Sequence, residues 1–198
     1  MKCIYTALLI SFISFGNLMA QEDNQLPYKE IPAYADEYLA GNVIARMIDG
    51  LGYRYYWATE GLREADLSYK PSEDGRTIEE TLSHIMGMSY AILNAPQNIP
   101  NTSLKNAGAF DIEKSRETTL NNYKKASALF AGKTETELSE FKVIFGSGEN
   151  QSAFPLWNLI NGQISDSIYH VGQIVAFRRA SGNPMNPKVN VFMGKNRP

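Results

Sequence analysis

Residues 156–181, LWNLINGQISDSIYHVGQIVAFRRAS, decide the fold. Apolar residues recur along this run at helical intervals. One row, Ile160, Ile164, Ile168, Val171, Ile174 and Val175, reads as ordinary core, while a second sets Gly162, Asp166, His170 and Gln173 between Leu159 and Phe177. A helix apolar almost all round is expected at the centre of a bundle, and polar groups carried there need partners. Asp166 and His170 stand four residues apart, one turn along the same face, so that carboxylate and imidazole can grip one ion.

The chain's only other histidine, His84, lies midway along TIEETLSHIMGMSYAILNA, residues 77–95. Thr77-x-x-Glu80 is a capping box that starts a helix there. Ile78, Leu82, Ile85, Ile92 and Leu93 form its core stripe, and His84 falls in a second row with Thr81, Met88 and Ala91. Packed side by side, the two helices bring His84, Asp166 and His170 to one cation from two directions, with coordination positions left over for water or substrate. Gly87, one turn beyond His84, leaves room beside the imidazole at some expense in helix propensity.

Spacing alone leaves a plainer arrangement open, in which Asp166 simply accepts a hydrogen bond from His170 and no metal is involved. Other chemistries are poorly supplied. The single cysteine, Cys3, falls in the leader described next, and there is no Gly-x-Ser-x-Gly elbow, P-loop, dinucleotide fingerprint or paired CxxC. A net charge of −2 lacks the basic footprint of a nucleic-acid binder.

With 198 residues and 43% hydrophobic content, the chain has enough material for one domain with a real core. MKCIYTALLISFISFGNLMA, residues 1–20, has a positive start at Lys2, an apolar run from Ile4 to Phe15 and a small residue, Ala20, before polar QEDNQ. This is the pattern of a removable secretory signal, too short to span a bilayer comfortably. The expected organisation is therefore a signal peptide at 1–20, an extended lead-in at 21–34 and a helical-bundle domain with a C-terminal tail at 35–198. The expected location is exported, in the periplasm, with no stable membrane span once the signal is removed.

The first bundle helix is expected over Ala35 to Leu62, with Leu39, Val43, Met47, Leu51, Tyr55 and Ala58 as its buried stripe and Gly50 and Gly52 marking a kink or the close approach of a neighbouring helix. Its aromatic cluster, Tyr53, Tyr55, Tyr56 and Trp57, reads first as packing and second as a ligand wall. Asp111 to Ala131 forms the third helix, polar enough to be the most exposed of the four. FKVIFGSGENQSAF, residues 141–154, alternates weakly and fits a short hairpin or ordered loop. Ser152 as cap and Pro155 as early proline are expected to open the last helix, which Ser181-Gly182-Asn183-Pro184 closes. The tail, with Val189, Val191 and Phe192, should fold back on the domain.

Four helices in this order, a histidine midway along the second, and the run DSIYHVGQIVAFRR with its His170-Val171-Gly172-Gln173 piece resemble the DinB/YfiT-like superfamily of metal-binding four-helix bundles, over about Ala35 to Pro187. The resemblance implies an all-α, up-up-down-down bundle. It also implies a divalent metal held by three histidines, one from the second helix and an H-x-x-x-H pair from the fourth. His84 matches the first of these and His170 the last, whereas Asp166 stands where the family usually has its middle histidine. Two histidines and one carboxylate are tolerated by zinc, nickel, iron(II) and manganese.

By the same resemblance the protein is a metal-dependent transferase or hydrolase acting on a small molecule of unknown identity, with Gln173 orienting a ligand from outside the metal shell, and it pairs as a homodimer. Characterised relatives use the metal to present a thiolate to an electrophile; activating water is the other use of such a site. The competing expectation is a non-enzymatic envelope bundle that binds a ligand or partner, with a structural Asp166–His170 pair. Two histidines and a carboxylate also admit non-haem iron oxygen chemistry.

Overall fold

Four helices carry the architecture: α1 (Ala40–Thr59), α3 (Ile78–Asn94), α4 (Ile112–Phe130) and α7 (Ser165–Ala180). Between them lie short pieces, α2 (Glu64–Leu67), α5 (Glu135–Ser139), the hairpin β1 (Lys142–Phe145) and β2 (Ser152–Pro155), and α6 (Trp157–Leu159). The structure is a computed structural model and describes residues 25–102 and 109–198. The expected signal segment, residues 1–20, lies outside the described residues. No helix among those described is long and apolar enough to cross a membrane.

Local chemistry sets the helix ends. Thr77 and Glu80 form the expected capping box on α3, and Asp111 caps α4 by accepting from the Lys114 amide at 3.0 Å. At the end of α7, Gly182 takes a left-handed φ of 80° while Asn183 N donates back to Arg178 O at 2.8 Å, the wrap that closes a helix on glycine.

α1 and α3 are each flanked by α4 and α7, so α1 and α3 sit diagonally across the bundle. The directions follow from contacts along the helices. Arg178, near the end of α7, donates to the carbonyls of Ala58 and Glu60 at the end of α1, so these two run parallel. Arg116, at the start of α4, reaches Thr59 at the end of α1, and Ser127, near the end of α4, reaches Ala45 at its start, so α4 runs against α1. On α3, His84 meets His170 and Met88 meets Ser167, so α3 runs against α7. In chain order the helices point up, down, down, up. The expected up-up-down-down order is thereby corrected: residues 60–77 turn the chain at the end where α1 stops, α3 ends at the opposite end, and α4 starts again at the end where α1 stops.

The core is centred on Ile48, Leu51, Tyr55, Ile85, Ile92, Tyr123, Leu159 and Ile174, all fully buried. Burying an aliphatic side chain of this size stabilises the fold by about 1.5–3 kcal/mol. On α1 the expected stripe is right only in its second half. Val43 is exposed, Leu39 and Met47 are half-buried, and Ile44 and Ile48 point inward instead. Successive four-residue steps overshoot a turn by about 40° each, so the row 39-43-47-51 winds around the helix rather than along one face. The helix is also shorter than Ala35 to Leu62.

Gly52 does mark a close approach: a Cβ there would sit 2.4 Å from the ring of Tyr28, in the segment that leads into α1. Packing accounts for the aromatic cluster. Tyr55 packs edge-on against Tyr123, the Trp57 indole donates to Lys29 O at 3.1 Å, and the Tyr53 hydroxyl donates to Asn196 at 2.9 Å. The tail thus folds back across α1, held by Tyr53 and by Ile31 N donating to Gly194 O, while Phe192 stays exposed.

Residues 141–154 form the expected hairpin, antiparallel with Val143 opposite Phe154. Ser152 and Pro155, expected to open the last helix, belong to its second strand. Pairing with β1 and the Phe145–Phe154 ring contact outweigh the local capping pattern, and helix starts only at Trp157. Two ranks are also revised. α7 is not central, since Ile168, Tyr169 and Trp157 on this last helical run are exposed. α4 is not the most exposed helix; its polar residues Ser115, Thr119 and Asn122 face inward.

Candidate metal centre

His84 comes from the middle of α3, and Asp166 and His170 from the first two turns of α7. Antiparallel packing of those helices brings the three together. Asp166 lies between the rings: Oδ2 is 3.4 Å from His84 Nε2 and Oδ1 is 3.4 Å from His170 Nε2. The imidazoles meet edge to face with centroids 4.8 Å apart. One ligand atom from each residue can be chosen so that all lie within 4.8 Å of one another.

This donor set fits a divalent ion. Ligands at 2.0–2.2 Å from a tetrahedral centre stand about 3.4 Å apart; each imidazole stands that far from a different carboxylate oxygen, and with one ligand atom taken from each residue the three lie within 4.8 Å of one another. Two neutral imidazoles and one carboxylate form a borderline ligand set that suits zinc and its first-row neighbours.

His170 is held from behind. Its Nδ1–H donates to Gln173 Oε1 at 2.7 Å, leaving Nε2 with its lone pair on the side of Asp166 and His84. An imidazole oriented through its second nitrogen is the usual support for a metal-binding histidine. The pairing expected in a metal-free arrangement, His170 donating to Asp166, therefore has a competitor at shorter range. His84 is held below the ordinary histidine pKa, first by burial and then by Arg76 and His170, against the opposing pull of Asp166. Such a ring is neutral near pH 7, the form that binds metal.

The ring of His170 is nearly enclosed, with 10% of its side chain exposed, whereas 37% of His84 and 44% of Asp166 face solvent. Contacts this exposed add little to stability, about 0–1 kcal/mol even when both groups are charged. The site is thus reachable, and packing does not account for its composition.

Two features beside the triad escaped the sequence. Residues Ile160–Ile164 form a π-helical turn between α6 and α7. Its wider ring carries one residue more than an α turn and sits immediately before Asp166, as such turns often do at functional sites. Gly162 within it was the visible signal. Next to Asp166, Ser167 donates to Met88 Sδ at 3.8 Å, and at the α3–α4 contact Asn122 donates to Ser89 at 3.0 Å, so buried polar pairs accompany these helices. Serine, threonine and asparagine at helical spacing in α4 were the signal; taken as solvent-facing, they concealed it.

Comparison with known proteins agrees with this architecture. No protein-family model and no curated protein matches the chain. Among solved structures, it is similar to the DinB-like protein YjoA of Bacillus subtilis, with 17% identity, a TM-score of 0.53, and coverage of 78% of this chain and 99% of that one. It is likewise similar to YfiT of Bacillus subtilis, with 13% identity, a TM-score of 0.53, and coverage of 76% of this chain and 93% of that one. YfiT is described as "a probable metal-dependent hydrolase with an unusual four-helix bundle topology".

Proposed function

We propose that this chain, which has the DinB/YfiT-like four-helix-bundle fold, is an exported metal-dependent hydrolase of a small molecule. His84, Asp166 and His170 are its metal ligands and Gln173 positions one of them. The observation that carries the reading is the convergence of these three side chains from two helices with ligand-like spacing.

A divalent ion held there supplies a Lewis acid that makes water a usable nucleophile near neutral pH. The chain's own contributions are separable. Asp166 turns one carboxylate oxygen toward each imidazole and places a negative charge between them. Gln173 fixes the tautomer and the plane of His170. Partial exposure of His84 and Asp166 leaves the approach to the centre open on one side.

Hydrolysis is favoured over thiol transfer for two reasons. The similar YfiT structure carries that description. An exported protein would also leave the compartment that holds low-molecular-weight thiols, and the export reading rests on the leader pattern of residues 1–20.

The test is metal content after purification without a histidine tag. One divalent ion per chain is expected, lost in His84→Ala, whose unfolding free energy should lie within about 1 kcal/mol of that of metal-stripped wild type. A metal-free wild type, or a variant that keeps its metal, contradicts the proposal. Fractionation of cells making the full chain should find it in the periplasm without residues 1–20; retention of the leader in the cytoplasm would refute the export half.

A further inference from the structure

Beyond His84 the surface opens into a cavity of about 600 Å³ running along the outer side of α3. Its floor is one helical row, His84, Gly87, Ala91 and Asn94, in which the residues next to the imidazole are small. A Cβ built on Gly87 would meet nothing within 4 Å, so the glycine widens the groove rather than easing a packed contact.

The far wall is built rigidly. Asn94 Nδ2 donates to Asn101 Oδ1 at 2.9 Å, and Asn101 Nδ2 donates to Ile144 O at 2.9 Å, tying the end of α3 to the hairpin. The ring of Phe145 closes that end, and Gln163, from the π-helical turn, closes the side nearest α7. The buried Gln163 Oε1 has no protein donor. Among the described residues that line the groove there is no lysine, arginine, aspartate or glutamate. Arg76, whose charge is felt at His84, is not among them.

A site that recognises a carboxylate or phosphate presents guanidinium, ammonium or converging backbone N–H groups. Among the described residues, this groove presents amides, hydroxyls, methionines, aromatic rings and the imidazole of His84. We propose that it is the substrate groove and that it selects an uncharged, elongated molecule. The apolar or aromatic body of that molecule lies on Gly87 and Ala91, its amide or hydroxyl groups meet Asn94 and Gln163, and its reacting group lies at His84. The substrate assignment rests on the hydrolase reading, while the ligand class of the groove can be tested apart from it.

The test compares two fluorescent probes that share one skeleton: neutral N-phenylnaphthylamine and its sulfonated counterpart, anilinonaphthalene sulfonate. Wild-type protein, as purified and after metal removal by chelator, should bind one neutral probe per chain, with the sulfonated probe at least about tenfold weaker. Gly87→Leu starts from a Cβ position with nothing within 4 Å, projects a side chain into the groove and replaces a poor helix former. It should weaken the neutral probe at least about tenfold while leaving metal content and unfolding midpoint intact. Equal or tighter binding of the sulfonated probe, neutral binding unmoved by Gly87→Leu, or no neutral binding would overturn the assignment. Wild-type protein that carries no metal as purified, yet binds the neutral probe in a Gly87-dependent way, sinks the hydrolase reading and leaves the ligand class standing.

Discussion

Gln173 is the side chain on which the orientation of His170 depends, since its carbonyl takes the Nδ1 proton at 2.7 Å and no other partner holds that nitrogen among the described contacts. Gln173→Leu should therefore leave the fold intact and weaken metal binding about 10–100-fold, read by competition with a chromophoric chelator. Gln173→Glu, which keeps an acceptor, should recover most of the loss; an unchanged affinity in the leucine variant would remove Gln173 from the site. Asp66 is a second decisive residue, at the opposite end of α7. It is almost fully buried and accepts from the Arg63 amide and guanidinium and from Asn183, holding the connector after α1 against the cap of α7. The Arg63 guanidinium, more than anything else, holds its carboxyl well below the usual carboxylate range. A carboxyl whose pKa is lowered on folding adds stability above its unfolded pKa of about 4 and loses it as pH falls further. Urea titrations should show stability declining below about pH 4, and a shallower decline in Asp66→Asn. That variant should also be less stable at neutral pH, because at an almost fully buried position it replaces the charged acceptor that serves the Arg63 amide and Asn183, while the exposed Arg63 guanidinium returns to water.

At the level of elements, capping was legible in the sequence wherever one short motif acted alone, as at Thr77 and at Ser181-Gly182. It failed at Ser152, where cross-strand pairing, a contact between residues about ten apart, decided the outcome. The π-helical turn was not legible, since an extra residue in one turn leaves the pattern of apolar residues nearly unchanged. α4 was misread for a related reason: hydroxyl and amide residues look alike in sequence whether they face water or buried polar partners. Gly52 does mark a close approach, but of the lead-in rather than of the neighbouring helix that the sequence suggested. Gly52→Ala should displace Tyr28 and its 2.9 Å bond to Asp49, lowering stability by about 1–3 kcal/mol in a denaturant titration. Gly87→Ala on α3, with open space around it, should instead be neutral or stabilise by up to about 1 kcal/mol.

Across the whole molecule, residue types and their spacing made the triad legible. Two histidines and one aspartate on two helices are few enough to enumerate, and bundle packing offers few ways to join them. Helix direction was harder, because connection length does not say which end of the bundle a long loop returns to. The observed order puts α3 against α7 in opposite senses, so that residues 84 and 170, near the middle of one helix and in the second turn of the other, share one level. Arg178 and Arg116 fix that level from the far end by occupying the carbonyls and hydroxyl at the end of α1. Anomalous X-ray scattering from a crystal soaked with zinc, recorded at the zinc edge, reads this arrangement directly. One strong peak is predicted, within about 2.0–2.2 Å of His84 Nε2, His170 Nε2 and an Asp166 carboxylate oxygen. A peak elsewhere, or none while both imidazoles remain in place, would contradict the account.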